Sequence, residues 1–114
     1  MFGPYKPYIP VAVAELIDEL GSAVLISPTF KDPTGYFPEQ NIDTEFLAIN
    51  EGLKNVKSKI GTEKYEILVG MSAQMRAYFE ADPEDITGDI AKGMNIALDM
   101  IEILESGEGD DYWD

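Results

Sequence analysis

The sequence predicts a mainly α protein, a small helical bundle of about four helices entered through an irregular, Pro-rich N-terminal third. Three observations carry that reading. Six of the seven prolines fall in the first 38 residues, and a residue that fixes φ and has no N–H interrupts regular structure. After them, apolar residues recur at steps of three and four, the period of one helix face. Finally, 114 residues with 45% apolar composition and no Cys make one domain, 1–114, long enough to bury a core without disulfides.

The elements follow in order. Pro10 suits a first helical position, and Val13, Leu16, Ile17 and Leu20 continue from it at helical spacing, with Glu15, Asp18 and Glu19 opposite. Gly21 is expected to end or bend that helix. Residues 22–37 admit two readings: a helix continuing to Ile26, or a loop with short extended pieces that can form a hairpin around Asp32-Pro33-Thr34-Gly35. The loop is the expectation. A second helix opens at Asp43 or Thr44, either of which can cap it. It carries the stripe Phe46, Ile49, Leu53, Val56 and Ile60 and ends at Gly61, with Lys57 and Lys59 in its last turn. Thr62 opens a third helix through about Ala81, striped by Tyr65, Leu68, Ser72, Met75 and Phe79 and widened by Met71 and Tyr78.

Asp82-Pro83 reads as cap and first position of a fourth helix, Pro83 to about Ser106. Ile86, Ile90, Met94, Ala97, Ile101 and Leu104 form one apolar row, and Ile96, Met100 and Ile103 a second. Only Asp85, Asp89, Lys92, Asn95, Asp99 and Glu102 leave a polar strip. So wide an apolar arc predicts the central helix of the bundle, with Gly88 and Gly93 placed for close helix contact.

Charge is the outlying property. Eight Lys and Arg stand against 22 Asp and Glu, for a net of −14. The span from Glu80 to Asp114 holds twelve acids and a single base, Lys92, so −11 of the total lies there. Such a field repels nucleic acid and anionic membranes and attracts cations and basic proteins. Lys54, Lys57, Lys59 and Lys64 are interleaved with Glu51 and Glu63 and read as a solvated face, not a phosphate-binding patch. The N-terminal sequence has neither the basic segment nor the apolar run of a signal peptide, and no apolar run is long enough to span a bilayer. A cytoplasmic protein without direct nucleic-acid or membrane binding is the expectation.

Catalytic chemistry finds little to work with. There is no His and no Cys, which removes triad and dyad arrangements and the commonest metal ligands. Gly107-Glu108-Gly109 follows a helix, where a dinucleotide fingerprint follows a strand. The acidic runs from Asp82 and from Gly107 lack the ligand spacing of a calcium loop. With 22 acids, carboxylate pairs arise by chance and do not mark a hydrolase. No enzyme, cofactor or metal site is expected.

What remains is an acidic surface with aromatics. Glu105, Glu108, Asp110, Asp111 and Asp114 crowd the C-terminus around Tyr112 and Trp113, while Glu80, Asp82, Glu84, Asp85 and Asp89 crowd the turn before the fourth helix. Acids at a helix C-terminus oppose its dipole, and like charges repel. A cationic partner offsets both, with the aromatics as anchors once water is expelled. Tyr36 and Phe37, after the Asp-Pro-Thr-Gly turn, are a second candidate contact.

In size, helical content, absence of Cys and its acidic aromatic surface, the chain resembles the small acidic immunity proteins that bacteria make against their own nuclease toxins, including those of contact-dependent growth inhibition. The resemblance implies a cytoplasmic inhibitor that covers a cognate basic toxin domain in a one-to-one complex. Two other expectations stand beside it: a phage-type DNA mimic that inhibits a host defence protein, and a small structural or assembly subunit.

Overall fold

The computed structural model describes residues 7–27, 30, 41–82, 84 and 86–113, with side chains as far as 106. Among these residues the secondary structure is four helices, α1 (Val13–Ile26), α2 (Ile42–Ile60), α3 (Thr62–Ala81) and α4 (Asp89–Trp113), and no strand. The chain is a small helical bundle.

The helix α1 starts three residues after Pro10. The Pro10 carbonyl is occupied by the Asn55 side-chain amide of α2 (2.9 Å), so the proline packs beside the bundle and Ala12, extended at φ −129°, takes the N-cap. Glu15 reaches back over this entry, accepting from the Val11 N–H (2.9 Å) and the Tyr8 hydroxyl (2.7 Å). At its other end, α1 runs through Gly21 to Ile26, contrary to the expected loop. Leu16, Leu20 and Ala23 are fully buried, and their four-then-three spacing keeps the helix register past the glycine. Packing outweighs the roughly 1 kcal/mol that Gly costs in a helix.

After Ser27, Phe30 turns back at φ +56°, in the left-handed region that a bulky side chain seldom adopts. Its ring compensates by filling the core edge-on, 5.9 Å from Phe46 and 5.1 Å from Phe79 between centroids. Residues 31–40, and with them the expected hairpin and the contacts Tyr36 and Phe37, lie outside the described residues.

Asn41, not Asp43 or Thr44, caps α2. Its side-chain oxygen accepts from the Thr44 N–H (3.1 Å) and the Thr44 hydroxyl oxygen accepts from the Asn41 N–H (3.0 Å), a reciprocal capping box. Phe46, Ile49, Leu53 and Val56 are buried as their spacing predicts. Gly61, at φ +91°, turns the chain directly into α3, which buries Leu68, Ser72, Met75 and Phe79. Ser72 resolves its buried hydroxyl by donating to Asn50 Oδ1 (2.8 Å).

Packing runs in a ring: α1 against α2 and α4, and α3 against α2 and α4. Each helix thus packs against two others, with the α3–α4 seam the most extensive, and the fourth helix is one wall of the ring and not a hub. Its buried line is narrower than the sequence implied: Ile90, Gly93, Ala97, Met100 and Leu104, with Met94, Ile96, Ile101 and Ile103 half-buried beside them. Gly93 does mark a close approach, since a methyl there would stand 2.7 Å from Phe79 Cε1. Gly88 has open space around it and is instead required for its φ of +87°.

Candidate protein-interaction surface

The acids singled out in the sequence divide between the two ends of α4. At the start, most are used by the fold. The fourth helix begins at Asp89, later than expected, and Asp82 closes the turn before it from inside. The Asp82 carboxylate is 2% exposed and accepts from the backbone N–H groups of Ile86 (2.6 Å), Thr87 (3.1 Å), Gly88 (3.2 Å) and Ile90 (3.4 Å). Burial pushes this carboxyl upward, but the donors at Ile86, Thr87 and Ile90 outweigh that and hold it below its ordinary value. Asp82 is thus a structural anion and not a surface contact. Ile86, expected in the core row, is left 75% exposed on the turn.

The neighbouring acids are also engaged. Glu80 pairs with Arg76 (3.4 Å), and Arg76 also pairs with Asp43 of α2 while lying over the Phe46 ring. Asp89 accepts from the Thr87 hydroxyl (2.9 Å) and meets Lys92 (3.5 Å), in the helix's first turn where a negative charge is favourable. Glu84 is exposed. Asp85 lies outside the described residues.

The other end differs. Lys92, Asn95, Leu98, Asp99, Glu102, Glu105 and Ser106 are all exposed, and helical spacing sets them along one face. Leu98, which belongs to neither predicted apolar row, is 54% exposed; Glu102 and Glu105 follow it at four and seven residues, on the same side of the helix. Across an open groove from Asp99, Glu102, Ile103 and Ser106 stands Lys64 of α3. The last turn of α4 holds no basic residue. The backbone stays helical through Glu108, Asp110, Asp111 and Tyr112 to Trp113, seven residues beyond the expected stop at Ser106. The side chains of 107–113 lie outside the described residues, as does Asp114. The two acidic clusters are therefore joined by a single rod of 25 residues, about 37 Å long at 1.5 Å per residue.

The four predicted lysines sit around the α2–α3 corner. Lys54 pairs with Glu51 (2.7 Å) and Lys57 covers the Tyr65 ring (4.9 Å), in keeping with a solvated face. No group of three or more metal-ligating side chains gathers among the described residues, and no helix among them is long and apolar enough to cross a membrane.

The described residues form a small helical bundle with an anionic face along α4. No family model matches the chain, and neither a curated protein nor a solved structure matches it.

Proposed function

We propose that the protein is a protein-binding inhibitor, an immunity protein that neutralises a basic nuclease toxin in the cytoplasm by covering its active site or the surface beside it. The observation that carries this reading is the exposed face of α4, where Leu98 stands among Asp99, Glu102 and Glu105 on a helix whose last turn holds no base. Carboxylates in that arrangement steer a cationic surface and fix its orientation. An apolar side chain within them gives the contact a patch to dehydrate. Glu108, Asp110, Asp111, Tyr112 and Trp113 continue the same helix and extend the anionic rod with aromatic residues. Glu84, and Glu80 beyond its pair with Arg76, supply a second contact at the opposite end. Inhibition is by occlusion in a one-to-one complex, not by catalysis.

The direct experiment is to recover the protein from its source cell, identify a nuclease retained on it, and titrate that nuclease's activity with the purified chain. Full inhibition at one equivalent supports the reading. A retained nuclease that remains fully active, or stable self-association with no nuclease bound, removes it; the latter outcome is that of an assembly subunit.

One observation favours a second reading, a DNA mimic. The acids of α4 lie along a single continuous rod, as phosphates lie along a strand. A mimic competes with DNA for many unrelated DNA-binding proteins, whereas an immunity protein inhibits one.

A further inference from the structure

The seam between α1 and α2 buries an acid that neither the core pattern nor the acidic surface accounts for. Glu45, in the first turns of α2, is 5% exposed, and its Oε1 has no hydrogen-bond partner. An ionised carboxylate in that position would lack both solvent and donors, and proteins do not hold one so. The group set against it is another acid, Glu19 of α1. The described bases are engaged elsewhere or distant in the fold. Arg76 of α3 pairs with Asp43 and Glu80, Lys92 of α4 with Asp89, and Lys54 with Glu51. Lys57, Lys59 and Lys64 cluster towards the α2–α3 corner, at the opposite end of α2. Along α1, the neighbouring Glu15 is taken up by Tyr8 and the Val11 N–H.

The geometry points to a proton-binding site: one proton, held between the carboxyls of Glu45 and Glu19, joins α1 to α2, and its loss loosens that seam. Two carboxyls in contact cannot both ionise at low cost. A neutral Glu45 instead donates its O–H to the Glu19 carboxylate, a charge-assisted bond. Burial is the main influence on the group, the hydrogen bond with Glu19 comes next and the Glu19 charge adds to both, so that Glu45 is pushed up to about 9.

The fold then has a pH dependence opposite in sign to that of a salt-bridged acid. In the unfolded chain Glu45 ionises in the ordinary carboxyl range. Above that range the folded state binds the extra proton, so stability is full at lower pH and is lost as pH rises through the raised value. Within that window the unfolding equilibrium constant rises about tenfold per pH unit. The test is infrared spectroscopy of the intact protein at pH 7, combined with urea unfolding from pH 6 to 9. The wild type is expected to show a protonated-carboxyl band that disappears at alkaline pH. Glu45→Gln is expected to lack the band and to flatten the pH dependence of unfolding, while Glu19→Gln, by removing the like charge, keeps the band and moves its loss to lower pH. A wild type without the band at pH 7, or a band unchanged in position and midpoint by Glu19→Gln, overturns the proposal even where Glu45→Gln fails to fold.

Discussion

The two ends of α4 use negative charge in opposite ways. At the start, Asp82 is enclosed by four backbone N–H groups, Asp89 has Thr87 and Lys92, and the dipole of the helix favours both. Further along, Asp99, Glu102 and Glu105 face solvent, set three residues apart on one face, where like charges repel. The first set holds the fold together; the second works against it. An acid that the fold does not need is where a partner is to be sought.

Substitutions should separate the two ends by sign as well as size. Asp82→Ala is expected to have the largest effect, because it leaves the N–H groups gathered on this buried carboxylate without their acceptor. A fall in Tm of about 10 °C, read by circular dichroism, is the expected scale. Its contribution depends on ionisation: the carboxyl is held below its ordinary value, so the stability it adds is present above the ordinary carboxyl range and is lost as pH falls through the lowered one. Gly93→Ala comes next, expected to cost about 1–2 kcal/mol in urea unfolding despite the better helix propensity of Ala, since the methyl meets the fixed Phe79 ring. Gly88→Ala is expected to cost about 1 kcal/mol through its positive φ alone. Smallest, and opposite in sign, is the pair Glu102→Gln and Glu105→Gln, which should raise stability by a few tenths of a kcal/mol each as like-charge repulsion along the face is relieved, about 0.3 kcal/mol at low salt.

Legibility in the sequence followed the same division. The stripes of α2 and α3 were readable because one face of each is buried against both neighbours, and the bounds of α3 coincide with the expected Thr62 and Ala81. Termini set by long-range contact were not. Pro10 looks like a helix start until Asn55, 45 residues away, takes its carbonyl. Asp82-Pro83 has the residues of a cap, and Asp82 does cap, but it gathers a whole turn before α4 begins at Asp89. Glu45 stands in a polar run, Asp43-Thr44-Glu45, and four residues before Ile49; only the placement of α1 across it makes it buried. Leu98 was hidden differently, one apolar residue among many in α4, distinguished only once the ring arrangement fixed which side faces outward. The acidic surface itself was legible as composition, but which of its members are free to meet a partner required the hydrogen bonds.

The most direct measurement follows association of the Glu102→Gln/Glu105→Gln double variant with the nuclease recovered on the wild-type chain, as a function of ionic strength, alongside its unfolding. An anionic docking face predicts a variant at least as stable as the wild type that associates about tenfold more slowly at low salt and with a shallower salt dependence. An association rate equal to the wild type's at low salt, in a variant that folds normally, would contradict the claim that this end of α4 is charged for a partner.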